Sequence, residues 1–244
     1  MRTVTTLALT TVIGLSLATP AMAASRTFEL DSFASVDIAT GLDAVVTQGE
    51  SFAVTATSNS QQALDNLQVE VDGDALKARL DQNFLDFILS GGLVGMLLSS
   101  GNAVTLEITL PQLNGIDASS GADVRADGIV SDQLVLRSSS GADIALTNAE
   151  LGTLRMESSS GADLEVSGTA QSVSADASSG ADIEAEGLEA TTVTASASSG
   201  ADISVTATAS VDATASSGGD VHVHGNPTSR NVDTSSGGDV NFDD

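Results

Sequence analysis

The sequence contains no cysteine, no tryptophan and no tyrosine, and Lys77 is its only lysine. The missing thiols exclude disulfide staples, thiol nucleophiles and a lipid attached through an N-terminal cysteine. The missing Trp and Tyr remove the aromatic platforms that a sugar-cleaving cleft normally offers, and Phe242 is the only aromatic ring after Phe87. Prolines are rare, and Pro20, Pro111 and Pro227 all fall between elements. Positive charge is the largest deficit, with eight basic residues against 33 acidic ones and a formal net charge of −25. Such a surface repels nucleic acid and anionic membranes, and it suits cations, basic proteins or neutral glycans. After the N-terminal region no apolar run reaches the ~20 residues that a membrane helix needs.

Residues 1–23 read as a secretory signal peptide. Arg2 supplies the basic start, "LALTTVIGLSLA" the short apolar stretch, and Ala21-Met22-Ala23 the small residues before cleavage. The protein is therefore expected to be exported to the periplasm, the outer-membrane surface or the extracellular space. High acidity can accompany disorder, but the apolar residues here are spread periodically, which argues for a folded chain.

The second half is built on one motif, Ser-Ser-Gly-Ala-Asp. Its central glycines are Gly121, Gly141, Gly161, Gly180, Gly200, Gly218 and Gly237, 18 to 20 residues apart. "SSGNAV" centres a degenerate copy on Gly101, and "ATGLDAV" a fainter one on Gly41. Seven residues after each of the first six full-motif glycines stand Gly128, Asn148, Gly168, Gly187, Ala207 and Gly225. Most of these tolerate positive φ and mark a second corner. Apolar and small residues alternate in between, as in the same-face series Leu134, Leu136, Ser138, Ser140, Ala142, Ile144, Leu146. Period-two alternation means strand, with the second Ser and the Ala of each motif inward and the first Ser, Gly and Asp outward. No helical stripe appears. Coils of ~20 residues at ~3.3 Å each, stacked as parallel strands ~4.8 Å apart, give an all-β solenoid with two or three sides.

The N-terminal part, residues 24–112, reads as further strands forming the first coils or a cap, with "ALDNL" as one helical turn. It is continuous with the repeat region 113–244. Within it, Phe84 to Leu98 ("FLDFILSGGLVGMLL") is the most apolar run after the signal. The favoured reading is a cover for the open end of the stack. The alternative is a contact surface for another subunit, a partner or a membrane.

The outward acids Asp123, Asp143, Asp163, Asp182, Asp202, Asp220 and Asp239 form a column if the coils stack in register. Adjacent carboxylates would repel, so bonds from nearby Ser hydroxyls or backbone N–H groups are expected to offset them. A row of calcium ions is the alternative. "DVHVHGN" places His222 and His224 on one strand face with Asp220, a possible metal pair that reads more simply as a wet strand face. Serines abound, but a Ser nucleophile needs an oriented base, and both histidines sit in one late coil. Paired acids of the glycosidase kind lack aromatic platforms, and Arg125, Arg137, Arg155 and Arg230 are the only cations of the repeats. No catalytic residue, cofactor or resident metal is expected, and the chain does not read as an enzyme.

The opening "FASVDIATGLDAVVTQG", the stretch "VTLEITLPQLNGIDASSGADV" and the Ser-Gly repeats after it resemble the putative auto-transporter adhesin, head GIN domain family, from about Phe28 to Phe242. The resemblance implies a right-handed parallel β-helix, export and adhesion without catalysis. The expectation is a non-enzymatic envelope or secreted protein that presents an acidic, Ser/Asp-rich solenoid face to a glycan, envelope or protein partner. A calcium-dependent binding module using the Asp column is the first alternative, and a glycan-active β-helix enzyme the second.

Overall fold

The computed structural model describes residues 24–81 and 104–243. The expected signal peptide, the apolar segment Phe84–Leu98 and the copy at Gly101 lie outside them. The first part holds β1 (Ala24–Phe28), β2 (Ser35–Ala39), β3 (Asp43–Gln48), β4 (Ala53–Ser58), α1 (Gln61–Asp65), β5 (Leu67–Asp72) and β6 (Ala75–Leu80). Next come β7 (Val104–Leu110), β8 (Gly115–Ser119), β9 (Asp123–Asp127), β10 (Val130–Ser139) and β11 (Asp143–Ser159). The last part holds β12 (Asp163–Ser178), β13 (Asp182–Ser198), β14 (Asp202–Ser216), β15 (Asp220–His224), β16 (Ser229–Ser235) and β17 (Asp239–Asp243).

From β8 onward the strands stack in parallel with identical motif positions side by side, so that Leu134 pairs with Leu154, Val173 with Val193 and Ile183 with Ile203. The result is a β-solenoid of parallel coils. Its inward series runs Ala142, Ile144, Leu146, then Ala149, Leu151, then Leu154, Met156, Ser158, then Ala162, all buried. Steps of two are interrupted wherever the chain turns, which gives each coil three sides. Burying a Leu, Ile or Met here is worth about 1.5–3 kcal/mol, so the aliphatic stacks supply most of the stabilisation.

The motif itself is the sharpest corner. Ser140 and Gly141 both take left-handed backbone, at φ 58° and 67°, and the same pair recurs in every copy described. This corrects the expected facing of the second Ser. Two successive left-handed residues turn the chain, so Ser140 is exposed, while Ala142 re-enters the core on the old parity. The buried hydroxyls belong to the preceding inward position: Ser138 Oγ donates to the Ala142 carbonyl and Ser158 Oγ to that of Ala162 (2.6 Å). Each of these two inward serines is thus satisfied within its own corner. The second corner is less regular. Gly128, Asn148, Gly168 and Gly225 have positive φ, but Gly187 and Ala207 do not. At Gly168 (φ 132°) a Cβ would lie 2.1 Å from the Ala149 carbonyl oxygen, so only glycine fits.

The N-terminal coil is not where chain order puts it. β2 and β3 pair with β8 and β9 on one side and with β6 and β7 on the other. The faint copy at Gly41 is thus the spatial neighbour of Gly121, and Gly41 N–H donates to the Ser120 carbonyl (3.0 Å). The β7 register sets Thr105 opposite Asp43, the position that an Asp holds in every full motif. Antiparallel strands then close this end: β5 covers β6, and β4 covers β7 with β1 outside it. The helical turn α1 begins at Ser60, whose Oγ accepts the Ala63 N–H (3.3 Å) as an N-cap.

Candidate functional site

The corner separates two outer faces, each carrying a column of identical side chains. On the face after the corner the register stacks Asp43, Asp123, Asp143, Asp163, Asp182, Asp202, Asp220 and Asp239. The seven acids read from the full motifs all join it. Asp43, the eighth, was legible only in the faint copy at Gly41.

Partial burial and the neighbouring carboxylates of Asp123 and Asp163 push Asp143 above the ordinary aspartate range, and burial with Asp123 does the same to Asp43. At Asp43 and Asp143, like-charge repulsion from column neighbours thus adds to the effect of burial. One compensation is local: Asp239 N–H donates to Asp220 Oδ1 at 3.1 Å. Glu184, one row across, is raised by burial and by Glu186, Glu165 and the Asp column. Among the described residues no group of three His, Asp or Glu side chains converges in a metal-holding arrangement. His222 and His224 do share the outward face of β15 with Asp220, and His224 Nδ1 lies 3.9 Å from Asp243 Oδ2.

The face before the corner carries the first Ser of each motif, outward as expected, beside a row of charges that sequence reasoning missed. Ser119, Ser139, Ser159, Ser178, Ser198, Ser216 and Ser235 stack in register beside a row of charges. That row runs Lys77, Asp37, Asp117, Arg137, Glu157, Asp176. Arg137 bridges Asp117 (3.6 Å) and Glu157 (2.8 Å), and Arg155 bridges Glu157 (2.6 Å) and Asp176 (3.3 Å). These guanidinium contacts, Arg155 first, hold Glu157 below the ordinary glutamate range, although burial opposes them. Asp117 is raised instead, because burial outweighs its contact with Arg137. The signal was present in part: the residues four before Gly41, Gly121, Gly141, Gly161 and Gly180 are Asp37, Asp117, Arg137, Glu157 and Asp176.

The Ser column from Ser119 to Ser198 and the charge row from Asp37 to Asp176 line a shallow groove of about 780 Å³. Its hydroxyls, carboxylates and the Arg137 guanidinium offer donors and acceptors along the stack of coils. No histidine lines it, so its serines have no imidazole base at hand. A second concavity of about 660 Å³ lies at the closed end, between Phe28, Leu30, Phe33, Phe52 and Val71.

The model of the family described as putative auto-transporter adhesin, head GIN domain, matches residues 32–227. The chain belongs to that family. Solved structures share the fold of this head GIN protein. A putative adhesin from Bacteroides fragilis superposes with a TM-score of 0.76 at 22% identity, over 91% of this chain and 97% of that one. One from Parabacteroides merdae gives 0.68 at 15% identity, over 92% and 98%. A protein from Parabacteroides distasonis described as a putative lipid binding protein gives 0.62 at 15% identity, over 91% and 97%. These likenesses establish the fold. No protein of curated function matches the chain. The family and these neighbours are described as adhesins or as lipid-binding, and none as an enzyme. Among the described residues no helix is long and apolar enough to cross a membrane.

Proposed function

We propose that this head GIN protein is an exported, non-enzymatic adhesin or scaffold that binds through the Ser-and-charge groove. The supporting observation is the in-register array of Ser119, Ser139, Ser159, Ser178 and Ser198 beside Arg137, Glu157 and Arg155. Each coil repeats the Ser hydroxyl at ~4.8 Å, a spacing suited to an extended polymer such as a neutral glycan. Individual contacts are weak, and affinity comes from their number.

The test is binding of residues 24–244 to a glycan array and to whole envelopes. Single changes such as Ser159→Ala should alter binding little, whereas Arg137→Ala with Arg155→Ala should weaken it measurably. Retention of full binding by that double variant would remove the groove from the proposal.

The acidic column supports a second reading, a calcium-dependent module, because its eight stacked carboxylates place like charges side by side, and a divalent ion would offset that repulsion. Thermal unfolding with EDTA and then with excess calcium separates the two. A large calcium-dependent rise in Tm assigns ions to the column, and an unchanged Tm leaves the groove as the binding surface.

A further inference from the structure

The chain holds no cysteine and only two histidines, His222 and His224. Every imidazole that it has therefore stands on one strand, two residues apart. Burial alternates along β15, with Val221 and Val223 fully buried and Asp220, His222 and His224 outward between them. The two valines anchor the strand in the core, and β14 and β17 pair with it on both edges. Gly225, directly after His224, fixes its end, because a Cβ there would lie 2.6 Å from the Ala207 carbonyl oxygen. The imidazoles thus project from a strand held on every side, the kind of support that a precise site needs.

The register decides what surrounds them. Ser204 and Thr206 of β14 stand beside His222 and His224 on one edge, and Asn241 and Asp243 of β17 stand on the other. All four carry a side-chain oxygen. No lysine or arginine lies on β14, β15 or β17, whereas Asp202, Asp220, Asp239 and Asp243 do. The local field therefore favours a cation. Two observations give that cation a chemistry. Successive outward residues on a strand are ~6.6 Å apart, two steps of ~3.3 Å. Imidazoles leaning together from that spacing close on one ion at about 2.0–2.1 Å from each nitrogen. In addition, His224 Nδ1 faces Asp243 Oδ2 at 3.9 Å. A carboxylate at one ring nitrogen is the usual partner of a metal-bound histidine, because it orients the ring and leaves Nε2 to the metal.

We propose that His222 and His224 form a two-nitrogen site for a borderline divalent transition ion, Cu²⁺, Ni²⁺ or Zn²⁺, with Asp243 as its supporting carboxylate and water completing the sphere. Among the described residues no three His, Asp or Glu side chains converge, so the ion is exchangeable and not part of the fold. The site is separate from the calcium reading of the Asp column. Calcium is a hard ion that takes oxygen ligands, whereas imidazole selects the later first-row ions, Cu²⁺ most strongly.

The experiment is isothermal titration calorimetry of untagged residues 24–244 with Cu²⁺, Ni²⁺, Zn²⁺ and Ca²⁺ in turn, in a buffer that does not bind metals. Cu²⁺ should bind more tightly than Ni²⁺ or Zn²⁺, and a large excess of Ca²⁺ should not displace it. His222→Gln and His224→Gln should each weaken Cu²⁺ binding by about tenfold or more, and Asp243→Asn by about tenfold. Asp123→Asn with Asp143→Asn removes two carboxylates from mid-column and should leave the affinity unchanged. The electron paramagnetic resonance spectrum of the Cu²⁺ complex should show two imidazole nitrogens, and that of the double histidine variant none. Circular dichroism checks that each variant folds. The proposal is overturned if no transition ion binds, if the folded double variant keeps the unmodified affinity, if the spectrum shows fewer than two imidazole nitrogens, or if Ca²⁺ displaces Cu²⁺. Full affinity in Asp243→Asn would remove Asp243 from the site.

Discussion

Replacing Asp143 by Asn is predicted to stabilise the protein at neutral pH. The carboxylate is flanked in register by Asp123 and Asp163. At ~4.8 Å in a water-like dielectric each neighbour costs about 0.9 kcal/mol. A Debye length of ~8 Å at physiological salt roughly halves that. The two neighbours together then leave about 1 kcal/mol, which Asn removes while keeping a carbonyl oxygen and adding an amide donor. For a domain of this size that corresponds to a Tm rise of about 2–4 °C. Lowering the salt to about 0.01 M should enlarge the rise by about half, because most of the screening is lost.

The effect has a defined pH dependence. Asp143, Asp43, Asp117 and Glu184 are held above their ordinary values, so the folded state takes up protons before the unfolded chain does. Stability from these groups therefore increases as pH falls from neutral towards about 4, and the advantage of the Asp143→Asn variant shrinks over the same interval. Differential scanning calorimetry at two salt concentrations and at neutral and mildly acidic pH reads all of this. A lower Tm for the variant at low salt and neutral pH would refute the reasoning, since it would mean that the Asp143 carboxylate makes a favourable bond worth more than the repulsion.

Other outcomes follow from the same geometry. Glu157 is held below its ordinary value, so its contribution is present above the ordinary glutamate range and is lost as pH falls through its folded value. Acid unfolding should then begin at higher pH in Arg155→Ala, as followed by circular dichroism. Gly168→Ala should destabilise by several kcal/mol and largely abolish soluble folded protein, because its Cβ would overlap the Ala149 backbone. Gly141→Ala meets only open space and a carbonyl at 3.9 Å, so it should cost about 1–2 kcal/mol for its left-handed backbone. Ser138→Ala should cost about 1 kcal/mol or less in urea unfolding, because Ala118 occupies the same position in the adjacent coil.

Much of the fold was legible in order. The spacing of the motif glycines gave the coil length, and alternation gave Leu134, Leu136, Ile144 and Leu146 as core. Alternation misjudged Ser140, because two residues at positive φ restore the parity on the far side of a turn while exposing the residue within it. The groove went unseen for a different reason. Arg137, Glu157 and Asp176 are about 20 residues apart and differ in type, so no motif search joins them, and only coil-on-coil register makes them neighbours.

What the sequence by itself determined is periodic: parallel coils, a Ser-Gly corner and a column of aspartates. Each depends on residues whose spacing equals one coil, and identical small side chains can stack only on their own copies. Tertiary structure decided what no period records. The coil around Gly41 inserts between β6–β7 and β8–β9 because its strands pair on both edges with segments far along the chain. The antiparallel strands that close one end are likewise set by which strands meet once the coils have stacked. That is a property of the whole assembly, because an edge is defined by the strand that does not come next to it.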